Sequence, residues 1–482
     1  MTLELGWWRS RGGRIAVAVS SGALARVLSS LLTLVSLPLA VRYLGPERFG
    51  VWATIASTVV FLNLLDLGIA STLTNLIAHS YAVGDREYAT RYTTNALALT
   101  ASAACVAGLV LALAWPRINW TALFNVAASV PRGELAATVA VAAGLMLVGL
   151  PASLGSRIFA GYQEVHLSNA VIATGAVANL VGLLTGIALR VSMPMLFLIS
   201  VGGVTICNLA ALVGTLVWRK PWLWPRLPLL DRRVAGELLS SGSGFFLIQI
   251  AGAVVFSSDN VVVSHYLGAA QVTPYNVTWR LVGLTAVAQS LVFPALWPAY
   301  AEAYARGDYA WMGRAFRWMM RGTLALNLGC VILLVAFGKP AIRWWAGEAA
   351  VPSTALLAAM ALWALISGCM TAESCLLAAV NRTREQGVLS VVAAAVNLAM
   401  SIALVQRIGA VGVIAGTILS YLLVLVVPQS LIVRSVLRSG DAHPARSQFL
   451  STLARVEHRF RGGATEAVNA PLKQCSTRDS TY

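Results

Sequence analysis

Charge is what this chain has least of. Only 11% of its residues are Asp, Glu, Lys or Arg while 58% are hydrophobic over a length of 482, far more apolar surface than a water-soluble fold of this size can bury. That excludes a soluble enzyme or binding module and places the chain in lipid. Acidic residues are scarcer still, 19 against 35 basic ones, and a net charge of +16 would ordinarily point to nucleic acid. Cysteine is sparse and unpaired in sequence: six residues, no C-x-x-C, and five of them (Cys105, Cys207, Cys330, Cys369, Cys375) inside apolar stretches. They read as small packing residues rather than metal ligands or redox groups. No nucleophile elbow, Walker loop, zinc spacing or dinucleotide turn is present, so the reading is of a non-enzyme that neither binds nor hydrolyses ATP by itself and needs no cofactor.

What is there is hydrophobic span after hydrophobic span. About 20 apolar residues cross the roughly 30 Å hydrocarbon core as a helix. Twelve such stretches can be marked, near 14–41, 49–78, 94–115, 135–159, 168–190, 195–218, 238–266, 274–302, 319–338, 353–379, 387–406 and 410–437. The fold class expected is all-α and integral to the membrane. The first stretch follows basic residues as a signal peptide would, but it is long and has no A-x-A site, so it is expected to remain. With basic residues near a span end counted to the adjoining loop, the positive charge sorts by loop parity: the N-terminal tail, the even-numbered loops and the C-terminus hold 25 of the 35 Lys and Arg, the odd loops eight and the spans two. By the positive-inside rule both termini are cytoplasmic in a multi-pass inner-membrane protein. The partner of this charge is then anionic lipid, and nucleic acid is excluded.

The chain also repeats itself. Tyr43-Leu44-Gly45 returns as Tyr266-Leu267-Gly268, and Tyr81-Ala82-Val83-Gly84-Asp85 as Tyr304-Ala305-Arg306-Gly307-Asp308, both at an offset of 223. Ser20-Ser21-Gly22 echoes in Ser240-Ser241-Gly242, and Ala176-Val177-Ala178-Asn179 in Ala394-Ala395-Val396-Asn397. Six spans per copy is an even number, so the copies enter from the same side as parallel repeats around a central cavity. The organisation expected is a cytoplasmic segment 1–13, a six-helix bundle 14–218, a basic linker 219–237 acting as the joint, a second six-helix bundle 238–437, and a basic tail 438–482. In that tail Phe449, Leu453, Val456 and Phe460 mark an amphipathic helix. No odd-numbered loop is large, the longest being Pro116 to Gly133. A glycan polymerase or ligase, which needs a large external loop, is disfavoured on that ground.

Ionisable groups deep in lipid are costly and mark function or pairing. Five stand out: Arg26 in span one, Asp66 in span two, Asp259 in span seven, Arg280 in span eight and Glu373 in span ten. Arg26 and Arg280 could grip one phosphate-bearing group from opposite walls of a cleft, since the guanidinium fork stays charged and donates paired hydrogen bonds. The structural alternative pairs Arg26 with Asp66 and Arg280 with Asp259. Asp66, Asp259 and Glu373 are the gating or coupling candidates, because a buried carboxylate can take Na+ or H+.

The run Tyr43 to Trp52 followed by Asp66-Leu67-Gly68 resembles the opening of the polysaccharide exporter and O-antigen flippase family. That family shares its superfamily, the multidrug/oligosaccharidyl-lipid/polysaccharide flippases, with multidrug and toxic compound extrusion transporters and lipid II flippases. The second half resembles it again through Asp259, Leu267-Gly268, Val272, Tyr275 and Arg280-Leu281, departing at Thr273-Pro274 where Gly and a small or aliphatic residue are usual. The resemblance implies two helical bundles, a central cationic cavity lined by arginines of the first and eighth helices, and alternating access. Its cargo would be a polyprenyl-diphosphate-linked oligosaccharide, with a glycan polymerase and glycosyltransferases of the same pathway as partners. A multidrug antiporter on the same fold is the alternative, and the two in-span arginines argue against an organic-cation cargo.

Overall fold

The computed structural model describes residues 11–127, 129–380 and 382–438, and among these there are helices and turns but no strand. The amphipathic pattern from Phe449 to Phe460 lies outside the described residues. Fourteen helices carry the fold: α1 (Arg11–Leu62), α2 (Ile69–Val83), α3 (Arg86–Ala114), α4 (Arg132–Ala152), α5 (Leu154–Gly161), α6 (Val165–Ala188), α7 (Met193–Gly214), α8 (Arg232–Leu267), α9 (Val272–Arg306), α10 (Tyr309–Ala346), α11 (Thr354–Ala379), α12 (Thr383–Ile408), α13 (Ala410–Ser420) and α14 (Val427–Arg438). A one-turn helix, Trp120–Leu123, sits in the α3–α4 connection.

Nine segments among the described residues are long and apolar enough to cross a bilayer. The first, Val19–Asp66, has 48 residues, and at about 1.5 Å per residue it is long enough to cross twice. It does turn back, because Gly45 breaks α1 at φ 74°, ψ 170° and Pro46 opens the second arm. Helices α8 and α9, with 36 and 35 residues, also have spanning length; with them, and with α1 taken as two arms, the crossings come to twelve.

The repeat read in the sequence is a repeat in the backbone. Gly268 stands between α8 and α9 at φ 91°, ψ 156°, the counterpart of Gly45. Gly84 and Gly307 end α2 and α9 in the left-handed region at φ 77° and 74°. The residue after each, Asp85 or Asp308, caps the next helix by accepting from the backbone N–H of Tyr88 or Trp311, both at 2.9 Å. These are the positions that only glycine and a short carboxylate fill cheaply. The copies differ in their second span: the first has a break at Asn63–Asp66 with Leu67 and Gly68 both left-handed, while α9 runs through the corresponding depth as one helix.

Packing within each bundle relies on close backbone approach, as expected where lipid removes the hydrophobic drive between helices. Gly182 of α6 lies against the backbone of Ile199 and Ser200 in α7, and Gly416 of α13 against Ser401 of α12. Between the bundles, α1 packs on α8 and α9, and α8 on α2 and α3.

The linker is docked along its length on the start of α3. Thr90 donates to the Trp222 carbonyl at 2.9 Å, and the N–H of Arg226 reaches Thr94 at 3.4 Å. Asn95 donates to Leu229 O at 2.9 Å while accepting from Asp231 N–H at 3.0 Å. Arg91 pairs with Asp231 and Tyr92 with Glu237. Lys220 bonds Glu164 at 3.0 Å and lies over the Tyr162 ring at 4.2 Å. The linker is therefore held against the first bundle by hydrogen bonds and ion pairs.

Candidate functional site: a cavity between the bundles

Between the two bundles lies a cavity of about 630 Å3. Its walls come from both arms of α1, from α6 and α7, and from α8 and α9 across the repeat boundary. Most of its polar lining is neutral: Ser29, Thr33 and Ser36 down the first arm of α1, Ser57 on the second, Asn179 on α6, and Ser257, Asn260 and Asn276 on α8 and α9. Two tryptophans, Trp52 and Trp279, supply aromatic faces. The single charged group in that lining is Arg280. A narrower space of about 240 Å3 adjoins it between α1 and α9, lined by Ser30, Leu34, Gly283 and Val287, and Arg280 borders this space as well.

Arg280 is exposed although it sits well inside a spanning helix; what it is exposed to is the cavity. Among the described residues it has neither an acid nor a hydrogen-bond acceptor for a partner. An unpaired guanidinium away from bulk water is costly, and intramembrane cations of this kind commonly face a polar cavity or a partner.

The cavity is closed at the end carrying Gly45 and Gly268, and it is closed by the repeat itself. Gly50 touches the Ala269 backbone so closely that a Cβ there would fall 1.7 Å from the carbonyl oxygen. Thr273, the repeat counterpart of Gly50, donates to the carbonyl of Pro46, the counterpart of Ala269, at 2.6 Å. Equivalent positions thus meet across a pseudo-twofold axis, the arrangement parallel repeats demand. Around this seal Asn260 donates to Ser57 at 2.8 Å, Ser264 to the Phe124 carbonyl at 2.7 Å, and Trp345 to the Leu34 carbonyl at 2.9 Å. Entry to the accessible cavity is therefore from the other end or from the side space between α1 and α9.

The five ionisable residues do not converge. Arg26 hydrogen-bonds the Ser290 carbonyl at 3.5 Å, ten residues along α9 from Arg280, or about 15 Å of helix. The two arginines lie at different depths, and Arg26 borders neither of the two spaces that Arg280 lines, so they are not set on opposite walls around one phosphate. Nor do the arginine–acid pairs form. Asp66 accepts from Gly68 N–H at 2.8 Å at the helix break and faces Gln249 and Arg157. Asp259 accepts from the Tyr275 hydroxyl at 2.5 Å, its other oxygen without a hydrogen-bond partner among the described residues, on the side of α8 turned away from the cavity-lining Ser257 and Asn260. Glu373 is buried in the second bundle, where Ser430 donates to it at 2.7 Å and Gln429 lies beside it. The physical reason is local: each acid finds its donors on nearby helices, the arginines beside Asp66 and Glu373 are Arg157 and Arg434, and neither Arg26 nor Arg280 pairs with any of the three acids among the described residues. The cavity, moreover, is neutral and polar around one cation rather than cationic throughout. Sequence reasoning overlooked Trp52, Trp279 and the polar stripe Ser29, Thr33, Ser36, whose spacing of four and three places it on one helix face. Asn276 and Arg280, four apart, were legible in the same way.

Comparison with known proteins bears on this architecture. A family profile for polysaccharide biosynthesis proteins matches residues 17–303. A putative O-antigen transporter of Salmonella typhi is 22% identical over 326 residues, covering 67% of this chain and 73% of that protein. A putative O-antigen export protein of Yersinia pseudotuberculosis is 25% identical over 293 residues, 60% of this chain and 65% of that one. Among solved structures, the inward-facing conformation of a multidrug resistance transporter of the MATE family, in the MOP superfamily, superposes with a TM-score of 0.71 at 14% identity, over 86% of this chain and 98% of that one. This last likeness is one of fold.

Proposed function

The chain belongs to the polysaccharide biosynthesis protein family, and from that premise we propose that it is a flippase carrying a polyprenyl-diphosphate-linked oligosaccharide across the cytoplasmic membrane by alternating access, for surface polysaccharide assembly. The observation that carries this reading is Arg280: one unpaired guanidinium in a cavity otherwise lined by hydroxyls, amides and two tryptophans. A diphosphate matches the fork, and neutral sugars match the hydroxyl, amide and aromatic lining. The side space between α1 and α9 would let the lipid chain stay in the bilayer while the head occupies the cavity. The work done on this cargo is transport, not bond chemistry.

The orientation follows from the basic linker, which belongs on the cytoplasmic face beside anionic lipid. The Gly50–Ala269 seal is then the external gate, and this structure is closed to the outside. Asp259, Asp66 and Glu373 are the groups through which Na+ or H+ would couple. Of these our reading favours Asp259, because Tyr275 links it to α9, the helix that carries Arg280. Arg26 would meet the cargo nearer the cytoplasm, in sequence with Arg280 rather than beside it. A polymerase and glycosyltransferases of the pathway would supply and consume the cargo. A multidrug antiporter fits less well, because an unpaired cation in the cavity repels an organic cation.

The test is complementation of a deletion strain with Arg280→Gln and Arg280→Lys. Lipid-linked oligosaccharide, measured by mass spectrometry of extracted lipid with an impermeant probe of sidedness, is expected to accumulate on the cytoplasmic side with Arg280→Gln, and partly with Arg280→Lys. Normal surface glycan in Arg280→Gln cells with normal protein levels would sink the proposal.

A further inference from the structure

A second apolar space lies on the outside of the first bundle, between α6 and α7, with a volume of about 320 Å3. Its floor is formed by Ala170, Ala210, Ala211 and Gly214. At the linker end the chain leaves the α-helix for a π-turn, Thr215–Arg219, and such turns re-aim side chains. Trp218 is swung back so that its ring lies 3.6 Å from where a Cβ of Gly214 would stand, yet 78% of it is exposed. Arg219 closes the same end. Its side chain is half exposed, lies 6.0 Å over the Phe159 ring and reaches Glu164 only at 3.8 Å, on the same carboxylate oxygen that Lys220 holds at 3.0 Å. Two cations therefore share one acid, and among the described residues the Arg219 side chain donates no hydrogen bond at the mouth of an apolar slot.

From this juxtaposition we propose that the α6–α7 groove is a binding site for an anionic phospholipid of the surrounding bilayer, one acyl chain lying over Gly214 and Ala210 and the headgroup phosphate on Arg219. The charge at one end and the apolar floor along the rest match that amphiphile and no soluble anion. Trp218, amphipathic and at the polar end, marks the interface. The site faces away from the cavity between the bundles, so it is separate from the cargo path. A lipid held there would brace the corner from which the docked linker departs, since Arg219 of the groove shares Glu164 with Lys220 of the linker.

The experiment uses the full chain in vesicles of phosphatidylcholine doped at equal mole fraction with brominated phosphatidylglycerol or brominated phosphatidylcholine. Subtracting the tryptophan fluorescence of Trp218→Phe isolates the quenching of Trp218. One basic contact favours the anionic lipid by about fivefold, so brominated phosphatidylglycerol should quench Trp218 at about one-fifth of the mole fraction needed with the zwitterionic lipid. Arg219→Gln should bring the two lipids to parity, and Gly214→Leu, which fills the floor, should weaken quenching by both. Equal quenching by the two lipids in the unaltered protein would overturn the site, and so would a preference that survives Arg219→Gln.

Discussion

Gly50→Ala should unlatch one end of the transporter. The added Cβ would lie 1.7 Å from the Ala269 carbonyl oxygen and 2.5 Å from its carbon, whereas non-bonded heavy atoms rest at about 3.5 Å. The second arm of α1 and the Ala269 turn must then part by about 1.8 Å. No side chain can rotate away, because both partners are backbone. Overpacking of this kind costs about 1–3 kcal/mol, while the helix-propensity gain from Gly to Ala is common to both conformations and cancels. At tenfold per 1.4 kcal/mol, the ratio of sealed to unsealed protein should fall by about 5- to 150-fold. The readout is the labelling of a cysteine at Ala56, a cavity residue, in a chain whose six native cysteines are replaced. An impermeant maleimide is applied separately to each face in right-side-out and inverted vesicles. Labelling should accelerate by that factor from one face and not from the other. Gly133→Ala is the control, since nothing lies within 4 Å of its added carbon. Unchanged labelling from both faces in a folded Gly50→Ala protein would refute the seal.

The docked linker gives a stability prediction: Asn95→Ala removes bonds to Leu229 O and Asp231 N–H at a buried position, and should cost about 1–3 kcal/mol in thermal or denaturant unfolding. It also gives a pH prediction. The Arg233 N–H and the Arg91 guanidinium hold the Asp231 carboxyl below its ordinary value, so its contribution is fully present above the unfolded pKa of about 3.9 and is lost as pH falls through the lower folded value. Proteolysis of the linker should rise over that window in the unaltered protein, and Asp231→Asn should flatten the response. Asp259→Ala strands the Tyr275 hydroxyl and should lower stability by about 1–3 kcal/mol, whereas Asp259→Asn should keep the fold and abolish the dependence of transport on a Na+ or H+ gradient. Transport that stays gradient-dependent in a folded Asp259→Asn protein would remove Asp259 from the coupling role.

What the sequence determined by itself is the class and the plan. A chain with 11% charge and 58% hydrophobic residues belongs in lipid, where every backbone group must be satisfied internally, and its unbroken apolar runs of about 20 residues fit helices rather than the short alternating strands of a barrel. The 223-residue offset predicted paired structures, and Gly45 with Gly268, and Gly84 with Gly307, adopt matching backbone angles because those turns need positive φ wherever they occur. Arg280 was legible as a cavity residue because burying an isolated charge is too costly to happen without cause.

Only the tertiary structure decided the rest. In lipid, the faces that pack on protein and the faces that meet acyl chains are both apolar, so the amphipathic signal that orients a helix in water is nearly erased. That is why the neighbours of α1 could not be read. It is also why Arg26 could be placed in span one but not at its depth beside Ser290, and why Asp259 could be found but not matched to Tyr275. Hydropathy measures depth to within a turn or two and says nothing of azimuth. The Gly50–Ala269 contact and its mirror, Thr273 to Pro46, exist only because two copies meet about an axis, and a linear sequence records the copies without recording the axis.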